Sequence, residues 1–538
     1  MKKHIKIIAV ALVVVIIATI AIVLGTKKKP TGILEVNFTI AGYGDAYVKE
    51  ICDAFTAETG IAVEYTTDDN ATNSAISRIT SVKKNTTDVF FTMVPAFQII
   101  DNCKNKNGYD NLVMDLSELY QMEVPGKGKT LYELVRKDLY NANLTFDMDG
   151  EAGKSYTIPW TTSTEGLIAN TKVLKKYGIT QMPRTTDEWE EILDIIKSGK
   201  TLDGNIVAPT DRVSGAITCA NNSAYWEFVW PVWWAQYEGI DSIDAYYSAK
   251  PDNAGDVYIP DWQALDREGK LVAIEELYRF LFKGNGYMDT ESENRDHLQS
   301  QVDFFDGKAA FIPSGAWIET ETAKDFYAEG ADIEFEMIKT PVTSRLAVKL
   351  DITEEELRAG IDYADGVITT APTFAGKNEQ ESADIMQAII KARGIVSSGL
   401  TSQNKIIIPA YSTELEQAYQ FVLFYASDKC QEILVKHGIM SAFNYKAESL
   451  DTLSDFNKSM FAILEMSNTE LLMPGNRYPM AYKAGLDYSA HRLISSPLKC
   501  FENLIYNGTK TAQQIYQEDI DYYKSKWDQM LLNAGYGK

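Results

Sequence analysis

Between Ile33 and Pro95 strand-like and helix-like segments alternate, and that order leaves few folds open. "ILEVNFTIAG" alternates and then runs apolar, ending in the glycine-rich turn "AGYGD". "AYVKEICDAFTAETG" then places Val48, Ile51, Cys52 and Phe55 on one helical face, with Gly60 as the stop. "IAVEYTT" reads as a second strand, "NSAISRITSVKK" as a second helix, and "TDVFFTMVP" as a short buried strand ended by Pro95. A β-α-β-α-β order predicts a parallel sheet with helices on its faces. Ligands of such sheets lie beyond the carboxyl ends of the strands. The loops Tyr43–Asp45 and Thr92–Pro95 are therefore candidate ligand walls, and Tyr43, Asp45 and Thr92 candidate contacts.

Further along, "DMDGEAGKSY" carries a hairpin signal. Its Asp-x-Asp-Gly lacks the later ligands of a calcium loop, so a turn is expected there. "YTIPW" is extended, "TTSTEG" a loop and "LIANTKVLKKYG" a fresh element. "PRTTDEWEEILDIIKSG" reads as a helix capped by Thr185 or Thr186, with Trp189, Ile192, Leu193 and Ile196 on its apolar face and Gly199 as its stop.

The chain opens with 19 uncharged residues, Ile7–Gly25, preceded by Lys2, Lys3 and Lys6. As a helix such a run spans about 28 Å, near the thickness of a bilayer's hydrocarbon core. Lysines 27–29 follow at once, and the small-x-small cleavage sites are mediocre, so a retained N-terminal membrane helix (residues 1–29, then a linker over 30–33) is expected. Cleavage near Thr26 and secretion is the alternative. Lysines flank both ends, so the positive-inside rule gives no orientation.

Without the six lysines of residues 1–29, 46 basic residues face 75 acidic ones, a formal −29. That surface repels nucleic acid. Five scattered cysteines and four scattered histidines offer neither a disulfide framework nor a metal-ligand spacing, so no metal or other cofactor is expected. No Gly-x-Ser-x-Gly, Walker or histidine-metal motif marks an enzyme.

Five segments, in order, resemble the extracellular solute-binding proteins of ABC import systems, most closely the sugar and oligosaccharide carriers. "DAFTAETGIAVEY" stands where the family has F-x-x-x-T-G-I-x-V, and "DVFFT" begins its second loop over the cleft. "YTIPWTTSTEGLIANTKVLKKYGITQMPRTTDEWEEIL" is similar to its first crossover between lobes. "FFDGKAAFIPSGAWIET" is similar to F-x-x-G-x-A-A-M-x-x-x-G-x-W, and "QAYQFVLFYASDKCQEILVKHGIMSAF" to a late helix and turn. The family's lipid-carrying cysteine is replaced by Thr26.

The resemblance implies an α/β, two-lobed periplasmic-binding-protein-like fold with a hinge and a sugar in the cleft. It divides the chain into one lobe of 34–160 plus 338–430 and a second of 161–337 plus 431–538, with "FEMIKTPVTS" (335–344) as the strand returning across the hinge. It implies no catalysis, a monomer, ABC permease subunits as partners, and a place on the outer face of the bacterial cytoplasmic membrane, held there by residues 7–25.

Sugars need flat aromatic platforms and planar polar side chains. Trp317 is the sharpest candidate, since the resembling family stacks sugar on this tryptophan and Gly315 permits close approach. Trp160 and Glu165 in the crossover join it. Trp226, Trp230, Trp233 and Trp234 fall on one helical stripe, which is more often core than surface, but Pro231 could turn a ring such as Trp230 outward. An exported carbohydrate-active hydrolase, or a ligand sensor presenting to a membrane signalling partner, are the competing readings.

Overall fold

The structure, a computed structural model, describes residues 31–536 apart from 41, 69–70, 95, 144–152, 221–224, 256, 400–403, 474–477 and 488–506. The apolar helix expected over 7–25 and the hairpin expected around Gly150 lie outside the described residues. Among the described residues no helix is long and apolar enough to cross a membrane.

The opening of the chain folds as its periodicity dictates. Strands β1 (Ile33–Thr39), β2 (Ala62–Asp68) and β3 (Val89–Met93) are parallel, with β1 in the middle. The intervening helices are Ala46–Thr59, capped by Gly60 at φ 75°, and Ala71–Thr80. Leu34, Val36 and Phe38 of β1 bury against Val48, Ile51 and Phe55, and the rings of Phe38 and Phe91 stack 4.4 Å apart. The helix Ala96–Cys103 follows β3, and a small hairpin, β4 (Lys104–Lys106) and β5 (Tyr109–Asn111), follows that.

The short β6 (Ile158–Pro159) ends the chain's first visit to this sheet, and residues 160–164 carry it into a second one. There β7 (Glu165–Asn170) is central, antiparallel to β8 (Phe311–Gly315), β9 (Phe335–Ile338) and β10 (Ile395–Ser397), while β12 (Glu470–Leu472) lies parallel to β10. The chain is next back in the first sheet as β11 (Asn404–Ile407), which pairs antiparallel with both β3 and β6. The first sheet therefore runs β2-β1-β3-β11-β6. A bridge between Thr162 and Met440 ties a late segment to the first crossing.

The segment 335–344, which the resemblance implies is the strand returning across the hinge, does not reach the first sheet. β9 pairs with β7, where its apolar face packs on Phe304, Phe305 and Phe456. The helices Glu354–Ala364 and Glu379–Gly394 follow, with a small core of their own around Leu357, Ile361 and Ile389, so the crossing comes only after β10.

In the second lobe Thr185 caps the helix Thr186–Ser198, and Pro231 starts the helix Trp230–Glu238. Trp189, Trp226, Trp230, Trp233 and Trp234 are all fully buried in one core with Phe280 and Phe311. The C-terminal helix Ala512–Ala534 lays Ile515, Ile520, Tyr523 and Trp527 on that core.

Candidate functional site

Several of the candidates meet at the seam between the two sheets, because the strand ends and crossings converge there. Tyr43 sits on the loop after β1, its ring edge-on to Trp160 with centroids 5.7 Å apart. The Trp160 indole N–H donates to the carbonyl of Thr92 at 3.4 Å, and the Tyr425 hydroxyl donates to the Trp160 carbonyl at 3.0 Å. Glu165 opens β7 and is 2% exposed. Ser163 donates to its Oε1 at 3.1 Å and Ser397 to its Oε2 at 3.5 Å. Burial, with the nearby Glu165 charge, pushes the Tyr43 phenol well above its usual range.

Trp317 joins from the second lobe. Its ring lies 5.4 Å from Tyr225 and 5.8 Å from Phe228. A Cβ on Gly315 would come within 2.3 Å of that ring, so the glycine makes room for Trp317 itself. Across the seam, a Cβ on Gly42 would lie 2.7 Å from the Cβ of Trp317, and Gly42 already holds φ at +77°. The Thr320 hydroxyl donates to the Gly42 carbonyl. The loop after β1 is thus pressed directly onto the tryptophan of the opposite lobe.

Two candidates are placed elsewhere. Asp45 is exposed at the start of the helix Ala46–Thr59, where its side chain makes no capping bond. Trp230 lies in the second lobe's core, its ring stacked on Trp234 at 6.3 Å, as the i, i+4 spacing allows. A cavity of about 720 Å³, lined by Thr171, Lys175, Tyr327, Glu334 and Asp455 among others, includes none of the candidates.

The seam also holds groups that the sequence did not single out. Thr164 Oγ1, Ser314 Oγ, Glu227 Oε2, Asn404 Oδ1 and Lys405 Nζ are buried without a hydrogen-bond partner. Burial pushes the Glu227 carboxyl up to about 7 and the Lys405 amine down to about 7. Native interiors pair nearly all such atoms, and others of this chain lie away from the seam, on Asn111, Arg267 and Gln431 among them. Nothing local in "NKIII" signals the buried amine, because the position of Lys405 depends on β11 pairing with strands far away in sequence. Among the described residues no group of His, Cys, Asp or Glu could hold a metal ion.

The sequence matches the family described as bacterial extracellular solute-binding protein over residues 39–432. No curated protein is similar in sequence to this chain. Solved structures share its fold at low identity. One, from work on xylan utilization by Caldanaerobius polysaccharolyticus, is 14% identical with a TM-score of 0.56, covering 91% of this chain and 99% of its own. The GacH receptor of Streptomyces glaucescens, solved unliganded and with acarbose, is 14% identical with a TM-score of 0.52, covering 91% and 97%. A sugar transporter of Bacillus licheniformis in complex with stachyose is 15% identical with a TM-score of 0.50, covering 92% and 99%.

Proposed function

This chain belongs to the bacterial extracellular solute-binding proteins, and from that premise we propose that it closes its seam on a carbohydrate, an oligosaccharide, for delivery to an ABC permease. The observation that carries the reading is the pairing of aromatic faces with unpartnered polar atoms in one buried seam. Tyr43, Trp160, Tyr225 and Trp317 offer ring surface to sugar C–H faces. Thr164, Ser314, Glu227 and Asn404 offer partners to sugar hydroxyls. The complexes of GacH with acarbose and of the Bacillus licheniformis protein with stachyose support a sugar as the solute.

On this reading Tyr43, Thr92, Trp160, Glu165 and Trp317 line or support the ligand site, and the protein works by binding alone, as a monomer. Residues 160–164, with 398 and 399 after β10, form the hinge, and closing brings the Gly42 loop onto Trp317. Residues 7–25 hold the protein on the outer face of the membrane, beside its permease, which raises its effective concentration there.

Titrating residues 31–538 with a panel of oligosaccharides tests the proposal. At least one glycan shifts the tryptophan fluorescence saturably and is recovered intact. A spectrum unmoved by the whole panel contradicts a sugar receptor, and cleavage of the bound glycan turns the reading into a hydrolase.

A further inference from the structure

We infer that the solute is an acidic sugar, and that Lys405 receives its anionic group. The inference rests on the proposed carbohydrate reading and names the class of carbohydrate.

Lys405 is 1% exposed, and its Nζ has neither a hydrogen bond nor an ion pair. In the pleat of β11 it shares a face with Ile407, which packs with Phe90, Ala75, Ile79 and Ile100. It stands opposite Thr92 on β3 and Pro159 on β6, one position from the carboxyl end of β3. The helices packed on this face, Ala71–Thr80 and Ala96–Cys103, both start where β2 and β3 end. Their N-terminal ends bring partial positive charge to the same end of the sheet. The acids of this face are remote: Asp68 ends β2 three strands away, about 14 Å at the usual strand spacing, and accepts from the Ser74 hydroxyl, while Glu35 and Glu64 pair with each other toward the opposite ends of β1 and β2.

A buried amine with no counter-charge is costly to keep. An apolar side chain of similar length would suit the apoprotein better. Retaining lysine here makes sense if the amine's partner arrives from outside. Burial alone lowers its affinity for a proton, and a bound carboxylate or sulfate would reverse that effect.

The test measures residues 31–538 and the Lys405→Met variant against matched neutral, uronate-bearing and sulfated disaccharides, together with the thermal melting of each protein. The tightest ligand should be acidic, at least tenfold tighter than its neutral counterpart, and Lys405→Met should erase that preference. The uronate and sulfate arms decide which anion is preferred. The variant without ligand should melt at a higher temperature than the parent. Preference for neutral glycans, an acidic preference that survives Lys405→Met, or a lower melting temperature overturns the inference while leaving a sugar receptor standing. No binding to any disaccharide or to the wider oligosaccharide panel overturns both.

Discussion

Lys270→Met lowers the stability of the second lobe by about 3–5 kcal/mol, read as a fall in the urea midpoint. Lys270 and Asp519 form an ion pair in which both side chains are 0% exposed. The pair joins the first turn of the helix Glu268–Leu281 to the middle of the C-terminal helix Ala512–Ala534. The Tyr246 hydroxyl lies 3.0 Å from the amine, and the Tyr246 ring sits beneath it, 4.5 Å from its centroid. Removing the lysine leaves a carboxylate fully buried, and that uncompensated charge, more than the lost attraction, sets the cost. Two controls separate the terms. Asp519→Asn should cost a similar amount. The double change Lys270→Met with Asp519→Leu should recover most of the loss, because an apolar pair of similar volume often replaces a buried ion pair without penalty. A double variant as unstable as either single one would show that packing, not charge, carries the effect.

The second large effect is on binding. Trp317→Ala weakens oligosaccharide affinity by more than tenfold, about 1.4 kcal/mol or more. The ring is 6% exposed between Tyr225 and Phe228 on its own lobe, with the Gly42 loop against its Cβ. Alanine removes the platform and the surface on which that loop closes. Trp317→Phe keeps a flat ring and should restore most of the affinity, whereas a residue that served only as core would show parallel losses of melting temperature and affinity. Trp230→Phe, in the second lobe's core, should lower stability and leave affinity nearly unchanged. Calorimetric titration of the three variants checks the pattern.

The local grammar of the chain was readable where short-range physics governs it. Val48, Ile51, Cys52 and Phe55 are buried on one face of the helix Ala46–Thr59, Gly60 ends that helix in a left-handed conformation, and Thr185 caps the helix Thr186–Ser198. The parallel opening also put Tyr43 and Thr92 at the ends of neighbouring strands, and both reach the seam through Trp160. What was not readable depends on partners far away in the sequence. Residues 335–338 form a plausible strand for either sheet, and only their packing on Phe456 and pairing with β7 decide between them. Lys405 looks like an ordinary polar start to an apolar strand until β11 is set between Thr92 of β3 and Pro159 of β6. The Lys270–Asp519 pair spans 249 residues, and no spacing rule reaches that far.

The most direct test is small-angle scattering of residues 31–538, with and without a glycan at a concentration that calorimetry shows to be saturating. A receptor whose lobes swing about the crossing at 160–164 becomes more compact on binding, and its radius of gyration falls. A scattering curve that does not change at saturation would contradict the closing seam on which the functional account rests.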